Sequence, residues 1–177
     1  MKVKQLGNNN AIWDIYDNYR LARLNVKYYC CRLVFYERWN FAFEILIAIA
    51  APSSVISGVW FLQTQSGLAV WKSISAAAAI AGFLKPFFKF GHKIKFYEQT
   101  LSGYRALEYD LYEIILKIRD EGAYSASSKK MFEAAMKKKK VLVTNPPENT
   151  PNKKLVAKLT EEVNQEIPTE SLYFPEE

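Results

Sequence analysis

Two long apolar stretches lie close together near the middle of the chain, at Phe41–Leu62 and Leu68–Leu84. An uncharged loop over 63–67 joins them. With a rise of about 1.5 Å per residue, the first stretch as a helix would cross a hydrocarbon core of about 30 Å, whereas the second is at the short end of the range. The pattern predicts a hairpin of two transmembrane helices.

Lysine and arginine lie on the outer sides of this pair and are absent from its loop. They occur throughout residues 1–40 and return directly after the second stretch, at Lys85, Lys89, Lys93 and Lys95. The positive-inside rule then places both termini in the cytoplasm. Two buried helices of a soluble core are the alternative, but apolar stretches of this length with charge on one side only are uncommon in such cores.

Small residues recur at four-residue spacing inside both stretches. They form the pairs Ser53/Ser57 and Ser54/Gly58 in the first, and Ser75/Ala79 and Ala78/Gly82 in the second. Small side chains let helix backbones approach closely in lipid. The spacing predicts helix packing, either within one hairpin or between several hairpins of an oligomer, and we favour the oligomer.

Each stretch contains one charged residue, Glu44 near its cytoplasmic end and Lys72 near its outer end. Since the two helices run antiparallel, we do not expect these side chains to pair. They either reach the headgroups or line an ion path. The pore hypothesis assigns its lining to Glu44, Ser53, Ser57 and Lys72, and a gating kink to Pro52.

A long amphipathic helix is predicted after the hairpin, from Lys93 to Glu121, with Gly122 as its stop. One apolar stripe follows heptad spacing, and a second stripe (Leu107, Leu111, Ile114, Ile118) competes with it. The helix is either the core of a small bundle or a self-associating stalk. The stalk hypothesis assigns oligomerisation to the heptad residues Tyr97, Leu101, Tyr104, Leu111, Ile115 and Ile118, with Glu108 as a polar interruption.

The C-terminal part is basic and less regular. Helices are predicted over 129–143 and near 155–163, separated by a proline-rich linker at 145–151, and the aromatic tail at 172–175 is expected to dock. Clustered lysines form solvated faces, attract anionic lipid, or bind a phosphate-rich ligand such as a nucleotide or short single-stranded nucleic acid. The candidate ligand residues are Lys129, Lys130, Lys137, Lys138, Lys139 and Lys140.

Composition excludes several classes of function. The net charge is +6, and the only two cysteines, Cys30 and Cys31, are adjacent. With a single histidine there is no metal-ligand spacing, and no phosphate-binding loop or catalytic triad is present. We therefore expect no enzyme, no catalytic residue and no cofactor.

Together these features predict an all-α membrane protein with four regions. Residues 1–40 form cytoplasmic and interfacial helices, 41–84 the transmembrane hairpin, 85–122 the stalk helix and 123–177 the basic C-terminal region. The order of the basic aromatic helix over 28–40, the hairpin, the aromatic exit over 85–96 and the long helix resembles the SLATT proteins, two-transmembrane effectors of bacterial conflict systems. The likeness covers residues 11–122 and rests on architecture, not on a short motif.

The resemblance implies a bacterial inner-membrane effector of anti-phage defence that depolarises or permeabilises the membrane. It further implies a partner nucleotidyltransferase that supplies a nucleotide second messenger or oligonucleotide. We therefore expect a ligand-controlled, homo-oligomeric ion pore, taken to be a tetramer. Two alternatives stay open, a non-conducting scaffold that recruits a cytoplasmic partner and an unregulated lytic toxin.

Overall fold

A computed structural model describes residues 2–50 and 64–174, and these residues form helices without any strand. This confirms the all-α class for the described part of the chain. The helices are α1 (Lys2–Ala50), α2 (Gln65–Phe88), α3 (Phe90–Glu121), α4 (Ala126–Thr144) and α5 (Lys153–Glu166), followed by a 3-10 turn at Thr169–Ser171.

Polar caps begin three of these helices. The side chains of Thr64, Ser125 and Asn152 each accept a hydrogen bond from the backbone N–H three residues further on. Gly122 follows α3 with a φ of 60°, a left-handed conformation that glycine adopts without strain. The predicted stop of the long helix is therefore confirmed, and α4 and α5 contain the two predicted C-terminal helices.

The chain divides into two compact units, Met1–Arg32 with Phe96–Glu177, and Leu33–Lys95. We call them the bundle unit and the hairpin unit. The bundle unit joins the first part of α1 to most of α3 and to α4 and α5, so segments far apart in the sequence share one core. The serial division into 1–40, 41–84, 85–122 and 123–177 does not follow this grouping.

The core of the bundle unit contains both apolar stripes of α3. Leu107, Leu111 and Ile114 are at most 1% exposed. The six residues predicted for oligomerisation are also buried, at 0–5% exposure: Tyr97, Leu101, Tyr104, Leu111, Ile115 and Ile118. They pack inside one chain, as in the bundle alternative, because α1 and α4 cover the stripe. Side chains without exposed surface cannot contact a second copy, so we no longer assign them to an interface.

The hairpin unit contains the end of α1, all of α2 and the start of α3. Between α2 and α3, Lys89 has a φ of 48°, the only positive value among the described non-glycine residues. In the described part of the chain, no single helix has the length and apolar character needed to cross a membrane. One pair of helices bent by 46°, Ala69–Phe88 with Phe90–Glu121, meets these criteria jointly. Most of the first predicted span, with Pro52, Ser53 and Ser57, lies outside the described residues.

Candidate functional site

Large and small side chains are distributed unusually on α2. Its buried residues include Ala78 and Ala81, whereas Ile80, Phe83 and Phe87 are 60%, 70% and 69% exposed. In a protein surrounded by water, the larger apolar side chains are normally the buried ones. Contiguous exposed apolar surface is typical of sites that contact lipid or another protein.

Glu44 and Lys72, the charged residues of the two apolar stretches, do not form a pair with each other. Glu44 instead lies 3.3 Å from Lys85 and accepts a hydrogen bond from Asn40 at 2.9 Å. Lys72 is exposed on α2. The pair between Glu44 and Lys85 links α1 to the C-terminal end of α2, where a cation also favours the helix dipole.

The four-lysine run of α4 does not form one surface. Successive residues of an α-helix are turned by about 100°, so neighbouring lysines point in different directions. Lys138 lies 2.7 Å from the Asp110 carboxylate on α3, and Lys139 donates to the Asn18 side chain on α1 at 2.6 Å. These two lysines therefore link helices of the bundle.

The four other candidate lysines lie on another side of α4. Lys137 and Lys140 are exposed and share a face of α4 with Lys129 and Lys130, which are exposed as well. We call these four residues the basic face. Glu133 is exposed on the same side and reduces its net charge. Of the six candidate ligand residues, the structure thus leaves four together on one open surface.

A cluster of ion pairs, which the sequence analysis missed, joins α1 to α3 and α5. Arg23 lies 3.0 Å from Glu108 and 3.2 Å from Glu166. Lys27 lies 2.5 Å from Glu166 and 3.3 Å from Glu162. The hydrogen bond from Lys27 lowers the pKa of Glu166, and the same bond raises the pKa of Lys27.

This cluster also explains why Glu108 interrupts the apolar stripe of α3. Its carboxylate is 14% exposed and paired with Arg23, as a buried charge requires. The sequence contained a pattern that indicates such a cluster. Arg23 and Lys27 on α1 are four residues apart, and so are Glu162 and Glu166 on α5, so each pair lies on one face of its helix.

The loop between α4 and α5 is held to α1 through Glu148. Its carboxylate accepts hydrogen bonds from Tyr28 Oη and from Arg32 at 2.8 Å. Tyr28 Oη also accepts the backbone N–H of Asn152 at 3.0 Å. Burial and the bond to Glu148 raise the pKa of Tyr28. The predicted linker is therefore non-helical but attached to the bundle.

The described part of the aromatic tail docks, and its partner, which the sequence did not predict, is the first part of α1. The Phe174 ring lies 4.8 Å from that of Trp13. Tyr16 Oη accepts the backbone N–H of Tyr173 at 3.0 Å and donates to its carbonyl at 3.3 Å. Burial raises the pKa of Tyr16, so its hydroxyl stays protonated and able to donate.

Among the described residues, no group of three or more histidine, cysteine, aspartate or glutamate side chains is arranged to hold a metal ion. Comparison with known proteins gave no matching family model, no similar curated protein and no similar solved structure. The architectural resemblance to the SLATT proteins stays a prediction.

Proposed function

We propose that this chain is a multi-pass protein of the bacterial inner membrane whose hairpins assemble into an ion-conducting pore. Both termini lie in the cytoplasm, and the bundle unit controls the pore in response to a phosphate-rich ligand. The resemblance to the SLATT proteins supplies the setting, which is anti-phage defence by depolarisation with a nucleotidyltransferase as partner.

One observation carries the membrane assignment. On α2 the large apolar side chains of Ile80, Phe83 and Phe87 point outward, while the buried positions include Ala78 and Ala81. Helices that associate in lipid place small residues at their contacts, since the apolar solvent gives large side chains no reason to be buried. The lysines and arginines on the outer sides of the hairpin support the cytoplasmic location of both termini.

Assembly proceeds through the spans in this proposal, because the heptad stripe of α3 is buried within one chain. The contacts are the small residues of the two apolar stretches that one hairpin leaves accessible, which on α2 include the exposed Ala79 and Gly82. A tetramer stays the expected stoichiometry. The pore lining is still assigned to Glu44, Ser53, Ser57 and Lys72, with the kink at Pro52. The pairing of Glu44 with Lys85 supports a place for both at the cytoplasmic mouth.

The ligand site in this proposal is the basic face of α4. Four exposed lysines on one side of a helix attract phosphate groups, and the ligand is a nucleotide or a short single-stranded nucleic acid. Lys138 and Lys139 are left out of the site, because they hold Asp110 and Asn18. The sign of the coupling depends on which state of the pore the ligand binds more tightly.

The test is ion flux through purified protein in liposomes, with and without a short oligonucleotide or a cyclic nucleotide. The variant changes the four lysines of the basic face to glutamine and leaves Lys138 and Lys139 in place, which preserves the bundle. A matched control changes the exposed Lys153 and Lys154 on α5.

We expect flux that responds to ligand in the wild type and in the control but not in the variant. Flux without a ligand response would support the unregulated lytic toxin. Absence of flux from inserted, oligomeric protein would refute the pore.

A second candidate, the non-conducting scaffold, is favoured by the outer surface of α3. Tyr109, Tyr112 and Leu116 are 78%, 44% and 38% exposed and follow one another at helical spacing. Such a stripe fits the helix of a partner protein. Under this alternative, changing Tyr109 and Leu116 to serine abolishes activity in cells, whereas changing Ser53, Ser57 and Glu44 has no effect.

A further inference from the structure

The hairpin unit contains an apolar cavity of about 350 Å³ between α1 and the junction of α2 with α3. Its walls are aromatic rings, including Phe35, Trp39 and Phe43 from α1 and Phe88 and Phe90 from the junction. The volume is at the lower end of the range for small-molecule sites, about 300–1,000 Å³. The rims are open, since Trp39 is 50% and Phe88 41% exposed.

The break between α2 and α3 builds one wall of this cavity. In a continuous helix, residues two positions apart point in opposed directions. The left-handed conformation of Lys89, with a φ of 48°, turns the chain between Phe88 and Phe90. Their rings are consequently stacked with centroids 5.3 Å apart, and both also lie within 5.6 Å of the Phe43 ring.

The cavity has a single charged residue among its lining side chains. Lys93 places its Nζ 5.3 Å from the centre of the Tyr36 ring, and cation–π attraction holds the ammonium group at the rim. Lys89 at the helix break is exposed and adds a second cation nearby in the chain. An apolar interior beside a positive rim is complementary to a molecule with a hydrocarbon part and an anionic head.

We propose that this cavity binds one acyl chain of an anionic phospholipid, whose phosphate is held by Lys93. The interior takes up hydrocarbon, because four phenylalanine rings make most of its wall and the removal of apolar surface from water is favourable. Phe83 and Phe87 on α2 are 70% and 69% exposed, so the outer surface of α2 is suited to contact with lipid. This inference rests on the proposed insertion of the hairpin unit into a membrane.

Trp39 provides a reporter inside the site. A protein in which Trp13, Trp60 and Trp71 are changed to phenylalanine keeps Trp39 as its sole tryptophan. It is reconstituted in phosphatidylcholine vesicles that contain a low fraction of lipid with brominated acyl chains, which quench nearby tryptophan. The brominated lipid is phosphatidylglycerol in one series and phosphatidylcholine in the other.

We expect brominated phosphatidylglycerol to reach half-maximal quenching at about fivefold lower fraction than brominated phosphatidylcholine. A factor of about five corresponds to about 1 kcal/mol for one lysine at an anionic surface. Lys93→Gln abolishes this preference but keeps quenching by the uncharged lipid, which shows that the variant still inserts. Lys95→Gln, an exposed lysine two residues away, retains the preference.

Two further measurements distinguish an incorrect lipid site from an incorrect membrane assignment. A reporter with Trp71 alone shows no preference between the two lipids, and glycerol phosphate in solution does not protect Trp39 from brominated phosphatidylglycerol. Equal quenching of Trp39 by both lipids, or a preference that survives Lys93→Gln, would overturn the lipid site and leave the membrane proposal intact. No quenching of either reporter by any lipid would overturn both.

Discussion

Replacing Tyr16 by phenylalanine tests how firmly the C-terminal tail is held. The substitution removes only the hydroxyl, so the ring still packs beside Phe174, at a centroid distance of 6.1 Å. It deletes both hydrogen bonds to the backbone of Tyr173, the accepted one at 3.0 Å and the donated one at 3.3 Å. The change is therefore confined to the polar part of the docking contact.

The expected magnitude follows from these two distances. An N–H···O bond of 3.0 Å is in the ordinary range, whereas 3.3 Å is long for an O–H donor, so the first bond contributes most. A typical intramolecular hydrogen bond contributes about 1 kcal/mol net. We expect the tail to open about fivefold more often, and about 30-fold if both bonds contribute fully, since RT is about 0.6 kcal/mol.

Hydrogen exchange of the Leu172 amide measures this opening, because its bond to the Thr169 carbonyl at 3.2 Å is not changed by the substitution itself. The matched control is Tyr19→Phe, which makes the same chemical change on α1 where the ring stacks on Tyr112 at 6.0 Å, away from the tail. Unchanged exchange in Tyr16→Phe, or an equal increase in Tyr19→Phe, would refute the assigned role of the Tyr16 hydroxyl.

Three other substitutions test the bundle unit. Leu111→Ala, at a position 0% exposed, should lower the free energy of unfolding by about 2–5 kcal/mol in denaturant titrations. Gly103→Ala would place a Cβ 2.4 Å from Leu142 Cδ2, which must move aside, so it should stabilise a Leu142→Ala background more than the wild type. Bonding to Lys27 lowers the folded-state pKa of Glu166. The ionised Glu166 side chain therefore stabilises the fold fully above the unfolded pKa of about 4.3, and this stabilisation is lost as pH falls through the folded pKa. The stability difference between wild type and Glu166→Gln should therefore disappear in acid, and a difference independent of pH would contradict this assignment.

Local signals were enough to predict the helices of the C-terminal half. The φ of 60° at Gly122 and the side-chain cap at Ser125 separate α3 from α4 where glycine and serine occur in the sequence. Such ends depend on residues only a few positions apart, so a single sequence contains the information. The amphipathic character of α3 was predictable for the same reason.

The helix that packs on the apolar stripe of α3 could not be predicted from such local signals. Periodicity identifies an apolar stripe but not its partner, and α1 supplies that partner from far along the chain. Tyr29 of α1 stacks on Tyr104 at 5.4 Å, and burial beside that ring raises the pKa of Tyr29 to about 12. Because intrachain packing and self-association require the same pattern on one helix, only the folded chain distinguishes a bundle core from a stalk.

The candidate ligand site shows how far a charge pattern alone can be interpreted. Four adjacent lysines suggest one strong patch, yet the turn of about 100° per residue requires them to diverge. Lys138 and Lys139 have partners on α3 and α1, which the sequence could not identify, because Asp110 and Asn18 are brought there by the fold. What remains is a smaller face whose two ends, Lys129 and Lys140, are separated by three turns of α4. A ligand that engages both ends must span about 16 Å, at 1.5 Å of rise per residue. Under the proposed function, an extended oligonucleotide can therefore engage all four lysines of the basic face, whereas a mononucleotide can engage only those near one end.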